Sequence, residues 1–257
     1  MNLELQGKVA LITGASSGIG RATADRLAEE GMNCALVGRN QEALSEVADG
    51  VRQRGCKALV IVGDVKDASV AGNAVSSAVG TFGRLDALIT AAGDIASGTI
   101  ENTSPDAWDS MIQTNLYAVF RFMQRATPHL IQSSGSIVNV SSVTGTRAFP
   151  GILSYCVSKA AVDQLTRCAA LELASKGVRV NSVNPGVVVT QLHRRGGMEE
   201  GKYEAFLEHS KTTHPMGRVG RPEEIADYIA FLISNRAGWV TGTNSNIDGG
   251  RAQTCAR

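Results

Sequence analysis

Short apolar runs alternate with longer segments of helical periodicity along the whole chain. The runs are rich in Val, Leu, Ile and Ala and predict seven strands, at 8–13, 33–38, 58–62, 85–90, 135–141, 178–183 and 244–247. Helices are predicted between them, at 21–30, 41–54, 68–82, 104–126, 155–175, 199–211 and 222–233. Because strands and helices alternate, we expect a parallel sheet with helices on both faces.

This alternation predicts an α/β fold with a doubly wound parallel sheet, the Rossmann fold, in three α/β/α layers. Right-handed crossovers and the strand order 3-2-1-4-5-6 place a ligand crevice over the carboxyl ends of strands 1 and 4. No repeat or composition break marks a second domain, so residues 1–257 are predicted to form one domain. The polar stretch from about 191 to 215 breaks the pattern, and we predict that it forms a lid over the crevice.

Composition narrows the class of protein without indicating its chemistry. The 257 residues are 43% hydrophobic and 19% charged, with a formal net charge of +1, which is typical of soluble globular domains. This balance favours neither a nucleic-acid partner nor a membrane surface. No apolar run reaches the roughly 18 residues of a membrane-spanning helix, and the first residues lack the pattern of a signal peptide. We therefore expect a cytoplasmic protein.

The cysteines and histidines show no metal-binding pattern. The five cysteines are scattered and form no Cys-x-x-Cys pair, and the four histidines have no ligand spacing. We expect reduced thiols and no metal site.

A glycine-rich turn at residues 14–20 follows the first strand and precedes the first helix. Its spacing is Gly-x-x-x-Gly-x-Gly, and glycines allow both a sharp turn and a close approach of the backbone to a bound group. The free N–H groups at the start of the next helix attract an anion. In this position the turn predicts dinucleotide binding, with contacts from Gly14, Ser16, Ser17, Gly18, Ile19 and Gly20.

The ends of the second and third strands concern the adenosine half of such a cofactor. Arg39 follows the second strand, where NAD-binding folds carry an acidic residue and an Arg suits the 2′-phosphate of NADP. No carboxylate follows until Glu42, and a guanidinium is well matched to a phosphate. We therefore favour NADP(H), with NAD(H) as the alternative. Asp64, at the end of the third strand, either accepts a hydrogen bond from adenine or caps the next helix.

Tyr155 and Lys159 lie four residues apart on a predicted helix, so their side chains share one face. A phenol normally keeps its proton until about pH 10, but a neighbouring ammonium favours the phenolate. The pair is therefore a candidate for proton transfer near neutral pH. Asn115 is a polar residue in the middle of an otherwise apolar helix, and it is either satisfied by a local backbone bond or functional.

Together these motifs resemble the short-chain dehydrogenase/reductase family over essentially the whole chain. Residues 13–20 match its cofactor motif, and Asp64-Val65 matches its adenine-side pair. Ser142 stands at the family's spacing from the Tyr155-x-x-x-Lys159 motif.

The resemblance extends to other positions along the sheet edge. It implies a catalytic role for Asn115 and cofactor contacts from Val65, Ala91, Ala92, Gly93, Tyr155, Lys159, Pro185, Gly186, Val188 and Thr190. One departure is visible, because the family's usual Asn-Asn-Ala-Gly begins with Thr90 here. The first Asn braces the sheet in the family, so this bracing is in doubt.

The resemblance also implies a mechanism. Tyr155 would give a proton to a carbonyl oxygen in reduction, or take one from an alcohol in oxidation. Lys159 would lower the pKa of Tyr155 and hold the nicotinamide ribose. Ser142 would hydrogen-bond the substrate oxygen, and Asn115 would help to hold a water that carries protons to Lys159. The nicotinamide would move the hydride.

The implied activity is NADP(H)-dependent reduction of a small ketone or aldehyde, or the reverse oxidation of a secondary alcohol. Reduction of 3-oxoacyl groups on acyl carrier protein is the alternative, although residues 131–134 are uncharged and Lys176 alone supplies a positive charge where such reductases meet the acidic carrier. A second alternative is a dinucleotide-binding sensor without turnover. The presence of Asn115, Ser142, Tyr155 and Lys159 together argues against it, because a sensor does not need a proton pathway.

The predicted helices 104–126 and 155–175 are apolar around much of their circumference, so more than one face needs to be covered. Family members usually pair these helices across two-fold axes. We therefore predict a homotetramer, with a dimer as the alternative.

Overall fold

The computed structural model describes residues 2–254 of the chain. Its seven strands are β1 (Val9–Thr13), β2 (Asn33–Gly38), β3 (Ala58–Val62), β4 (Ala87–Thr90), β5 (Ser136–Val140), β6 (Arg179–Pro185) and β7 (Asn244–Ile247). All neighbours pair in parallel, in the order β3-β2-β1-β4-β5-β6-β7. The predicted doubly wound fold is confirmed, and β7 extends the predicted order beyond β6.

Helices cover both faces of the sheet. Their bounds are α1 (Gly18–Glu29), α2 (Gln41–Gln53), α3 (Ala68–Phe82), α4 (Pro105–Ile112), α5 (Ala118–Ser133), α6 (Leu153–Ala174), α7 (Leu192–Arg195), α8 (Glu200–Thr213) and α9 (Pro222–Ile233). Alternate residues of β1 point to opposite faces, so Ala10 and Ile12 pack under α1, α2 and α9, whereas Val9 and Leu11 pack under α3, α5 and α6. These two cores give the predicted three layers.

The prediction of one long helix over 104–126 is wrong in two respects. A π turn, Gln113–Tyr117, separates α4 from α5, and α5 continues through Pro128 to Ser133. Proline removes one helical hydrogen bond, here to the carbonyl of Gln124, but Gln124 and Pro128 are both exposed. Water can therefore satisfy the freed carbonyl, and the helix does not have to end.

Other features of the helices and strands also differ from the prediction. The first helix begins inside the glycine turn, at Gly18, rather than at 21. The irregular stretch from about 191 contains a short helix, α7, that the sequence pattern did not reveal. Four residues are too few to show a helical period.

The sheet is braced beside β4 despite the Thr90 substitution. The Thr90 hydroxyl donates to Asn139 Oδ1 on β5 at 2.8 Å, and Asn139 Nδ2 donates to Thr166 Oγ1 on α6 at 2.9 Å. All three side chains are buried. This chain of hydrogen bonds links β4, β5 and α6, so the doubt about local bracing is resolved.

Candidate active site

A cleft of about 670 Å³ runs along the carboxyl edge of the sheet, from the ends of β2 and β3 to α8. Of the sequence-predicted residues, Gly20 and Asn115 do not line it. Those that do are Gly14, Ser16, Ser17, Gly18, Ile19, Arg39, Asp64, Val65, Ala91, Ala92, Gly93, Ser142, Tyr155, Lys159, Pro185, Gly186, Val188 and Thr190. The fold therefore brings almost the whole predicted set to one cleft.

The glycine turn is pressed against the neighbouring backbone. Gly14 has φ +68°, and a Cβ there would lie 2.7 Å from the Ala92 nitrogen, closer than a side chain can approach. A Cβ on Gly20 would lie 2.3 Å from the Gly14 carbonyl oxygen. Neither position has room for a side chain. Gly20 allows α1 to pack against the turn and does not line the cleft, so a ligand contact is not needed to account for this glycine.

The first turn of α1 faces the cleft with its N–H groups available. Ser17 is the N-cap residue, but its side chain accepts no hydrogen bond from the helix. The first N–H groups of a helix have no partner within it and favour an anion. Together with the close approach that Gly14 and Gly18 permit, this cradle fits the pyrophosphate of a dinucleotide.

The cleft ends at the predicted adenosine side. Arg39 Nη1 lies 3.8 Å from Asp64 Oδ2, and both side chains are about half exposed. Asp64 Oδ1 accepts a hydrogen bond from the Lys66 backbone N–H at 2.9 Å. A Cβ on Gly38 would lie 3.5 Å from Ser16 Oγ. A hydroxyl, a guanidinium, a carboxylate and backbone therefore surround this end of the cleft.

Tyr155 and Ser142 both line the cleft, Tyr155 in the first turn of α6 and Ser142 just after β5. Burial raises the pKa of Tyr155 to about 12, and the neighbouring Ser142 side chain partly opposes this rise. Burial is the larger effect because desolvation penalises the phenolate.

Lys159 lies one turn after Tyr155 and is also buried. Its ammonium donates to the Val140 carbonyl oxygen at 2.8 Å and lies 5.8 Å from the centre of the Tyr155 ring. Burial lowers the pKa of Lys159 to about 8, against a raising influence from Asp163. The net direction of the Tyr155 pKa is therefore opposite to the one that the spacing to Lys159 predicts, because burial of the phenol dominates.

Asn115 occupies the π turn with its side chain fully buried. Its Oδ1 accepts from the Asp94 N–H and its Nδ2 donates to the Asp94 carbonyl, both at 2.9 Å. Nδ2 also donates to Ser158 Oγ at 3.1 Å. These partners lie far from Asn115 in the sequence, so the local backbone bond is not formed, and the contacts fix the loop after β4 next to α6.

His214 is a site residue that the sequence did not indicate. The side chain is buried, and its Nε2 accepts from the Val187 N–H at 3.1 Å. Its other nitrogen, Nδ1, lies 2.7 Å from the Ser210 carbonyl oxygen and so must carry the proton of the neutral ring. His214 thereby ties α8 to the turn after β6. A lone histidine has no sequence pattern that reveals such a position.

Asp163 is a second residue that sequence reasoning missed. It is buried on α6, one turn after Lys159, and accepts hydrogen bonds from Asn184 Nδ2 at 2.7 Å and from Ser182 Oγ at 3.2 Å. These bonds join α6 to the end of β6. Its four-residue spacing from Lys159 was the one available signal.

The other end of the cleft is formed by the predicted lid. Tyr203 of α8 is buried and its hydroxyl donates to the Thr190 carbonyl oxygen at 3.1 Å, so α8 is fastened to the segment after β6. Apolar and aromatic side chains line this end, namely Ile95, Phe149, Ile152, Leu192, Met198 and Phe206, together with cationic and polar ones, namely His193, Arg195, Lys202, His209 and Arg251. This end suits a small molecule that presents both apolar and polar groups.

Across residues 2–254, no helix is long and apolar enough to cross a membrane. The same part of the chain contains no group of three or more His, Cys, Asp or Glu side chains arranged to hold a metal ion. Cys255 lies outside the described residues.

Comparison with known proteins connects this geometry to a family. Residues 14–252 match a family model described as enoyl-(acyl carrier protein) reductase. The chain is 40% identical to a 2,5-dichloro-2,5-cyclohexadiene-1,4-diol dehydrogenase of Sphingobium indicum, over 96% of each chain. It is 38% identical to a 3-oxoacyl-[acyl-carrier-protein] reductase of Staphylococcus aureus, over 95% of this chain and 97% of the relative.

A solved structure agrees with these relatives. A short-chain dehydrogenase/reductase of Caenorhabditis elegans, of unknown function and solved with cofactor, superposes with a TM-score of 0.92. The two chains are 35% identical, and the match covers 97% of each.

Proposed function

The chain belongs to the short-chain dehydrogenase/reductase family and is an oxidoreductase, and on that premise we propose that it transfers a hydride between NADP(H) and a small ketone, aldehyde or secondary alcohol. The observation that carries the proposal is that Tyr155, Ser142 and Lys159 meet on the floor of one cleft with the glycine turn. Family membership shows the reaction class, whereas the proposed residue roles rest on this geometry and the proposed cofactor preference rests on Arg39.

Tyr155 is the proposed proton donor and acceptor for the substrate oxygen. When bound, a nicotinamide dinucleotide supplies or takes up the hydride. The buried Tyr155 keeps its proton at neutral pH, which suits protonation of a carbonyl oxygen. The Ser142 side chain, which lines the same cleft, would donate to the same oxygen and stabilise its developing charge.

Lys159 is the proposed binding residue for the nicotinamide ribose. Its pKa near 8 lets it hold or release a proton near neutral pH. A Cβ on Gly93 would lie 3.6 Å from Lys159 Nζ and 3.2 Å from Asn115 Oδ1. The polar ends of both side chains therefore lie next to Gly93. A π turn leaves a main-chain carbonyl without its usual helical partner. This supports the proposal that the Asn115 segment holds a water on the route to Lys159.

The proposed preference for NADP(H) rests on Arg39. Its half-exposed guanidinium stands at the adenosine end of the cleft, and its carboxylate contact with Asp64 is long, at 3.8 Å. Such a guanidinium is free to bind a 2′-phosphate, and no acidic side chain occupies the neighbouring Gly38 position.

Arg39→Gln is expected to raise the Kd for NADPH about tenfold, because a charge-assisted hydrogen bond to an exposed phosphate is lost. The Kd for NADH should stay within about twofold of wild type. Calorimetric titration of both cofactors measures this, with Arg52→Gln on α2 as a control for net charge. An equal loss for NADPH and NADH would contradict the assignment of Arg39 to the 2′-phosphate.

A panel of carbonyl compounds and secondary alcohols, assayed with NADPH and NADH, tests the proposed activity. Small cyclic ketones belong in the panel because one relative is named for a cyclic diol. Including a 3-oxoacyl thioester of acyl carrier protein tests the carrier-protein alternative. Cofactor binding without turnover of any panel member would favour the sensor.

Assembly into a homotetramer is also proposed. Large apolar side chains are exposed on the π turn, on α5 and α6 and beside β7, namely Tyr117, Phe120, Val157, Leu171 and Trp239. Exposed apolar surface on several elements indicates contact with other chains. Symmetric pairing of identical chains covers such surfaces.

Light scattering at micromolar concentration is expected to give the mass of four chains. Leu171→Glu, which places a charge on the most exposed of these α6 side chains, should lower the mass by weakening one contact. A dimeric mass for the wild type would favour the alternative, and a monomeric mass would exclude both assemblies.

A further inference from the structure

Arg195 of α7 reaches across the mouth of the cleft to the glycine turn. Its Nη2 donates to the hydroxyl of Ser17, the N-cap residue of α1. Arg195 and Ser17 are 178 positions apart in sequence, so only the fold brings them together. A cationic side chain from the lid therefore lies beside the N-terminus of α1, where the helix dipole favours an anion.

The backbone before and after Arg195 packs closely against neighbouring segments. A Cβ on the next residue, Gly196, would lie 2.6 Å from the Ile95 carbonyl oxygen, so the end of α7 is pressed against the loop after β4. On the other side, a Cβ on Gly18 would lie 3.1 Å from Thr190 Cγ2. The segment before α7 thus starts directly over the glycine turn.

Within residues 2–254, the guanidinium of Arg195 forms no salt bridge, and the Ser17 hydroxyl accepts one of its five N–H groups. The neighbouring Arg194 is different, because its Nε donates to Glu200 Oε2 at 2.6 Å and its guanidinium lies 4.0 Å from the centre of the Tyr203 ring. Arg194 therefore binds other residues of the lid, whereas Arg195 lines the cleft.

We propose that Arg195 is a dinucleotide-binding residue that donates to the pyrophosphate at the start of α1. The proposal rests on the proposed function, since it concerns the same cofactor. A guanidinium matches two phosphate oxygens at once, and the free N–H groups of α1 bind the opposite side of the same anion. Cofactor binding and the position of the lid are then coupled through one side chain.

The test is calorimetric titration of NADPH and NADH into wild type, Arg195→Gln, Arg195→Lys and Arg194→Gln. Both cofactors contain the pyrophosphate and only NADPH carries a 2′-phosphate. Arg195→Gln is therefore expected to raise both Kd values by the same factor, about tenfold. Arg195→Lys should recover part of the loss, and Arg194→Gln, which removes the same charge from the same helix, should stay within about twofold of wild type. The affinity of wild type should also fall more steeply with salt than that of Arg195→Gln.

Three results would overturn the proposal. Unchanged Kd values in Arg195→Gln would show that the side chain makes no cofactor contact. A loss confined to NADPH would move the contact to the 2′-phosphate. An equal loss in Arg194→Gln would show that lid folding, not the Arg195 contact, determines affinity. Failure of wild type to bind either cofactor would instead contradict the proposed function itself, so the two failures are distinguishable.

Discussion

Replacing Tyr155 by Phe is expected to lower kcat by about 10²–10⁴-fold, the range that general acid–base catalysis contributes. The substitution removes the hydroxyl that would exchange a proton with the substrate oxygen and leaves the ring, which is buried in the cleft floor. The Kd for NADPH should remain within about twofold of wild type, because the glycine turn and Arg39 are untouched. Absorbance of the reduced nicotinamide measures turnover, and calorimetry measures binding.

Tyr117→Phe is the matched control for this experiment. It makes the same chemical change at an exposed tyrosine of the π turn that does not line the cleft. It should leave kcat unchanged. If Tyr155→Phe retained more than about a tenth of wild-type activity, another group would have to supply the proton and the proposed role of Tyr155 would be wrong.

Replacing Lys159 by Met is expected to impair both cofactor binding and turnover. The ammonium would bind the nicotinamide ribose and assist proton transfer, so kcat should fall by about 10²-fold or more and the Kd for NADPH should rise about tenfold. Met keeps most of the volume of the side chain, so the packing of α6 against β5 is preserved. Loss of turnover with unchanged affinity would contradict the ribose contact.

The same substitution is expected to stabilise the cofactor-free protein at neutral pH. Burial lowers the pKa of Lys159 from 10.5 in the unfolded chain to about 8 in the folded protein, so the charged form is disfavoured by folding. Below about pH 8 this costs up to about 3 kcal/mol, and the cost disappears as pH rises towards the unfolded pKa, where lysine is neutral in both states. Lys159→Met should therefore unfold at higher urea than wild type at about pH 7, and the difference should shrink above about pH 10.

Lys57→Met, at an exposed lysine, is the control for loss of one positive charge. It should not show the pH-dependent gain. If Lys159→Met were less stable than wild type at about pH 7, the hydrogen bond from Lys159 to the Val140 carbonyl would be worth more than the cost of burying the charge. Lys159 would then stabilise the folded protein, contrary to the prediction that its buried charge lowers the stability and is present for the sake of the reaction.

The sequence by itself determined the sheet and the edge on which the cleft lies. Strand and helix periods are local signals, and for parallel strands they leave few topologies, because crossovers are right-handed. The glycine turn, the four-residue spacing of Tyr155 and Lys159 and the strand-end position of Arg39 are also readable without coordinates. These features depend on neighbouring residues, so a single sequence contains them.

Only the tertiary structure decided how the site is held and charged. The contact between Arg195 and Ser17 and the hydrogen bond from the Val187 N–H to His214 join residues far apart in the chain. The direction of the Tyr155 pKa depends on how deeply the fold buries the phenol, and the spacing to Lys159 alone predicted the opposite direction. Helix α5 continues through Pro128 because the solvent reaches that face. Burial and long-range contacts are properties of the packed molecule, and a local pattern does not specify them.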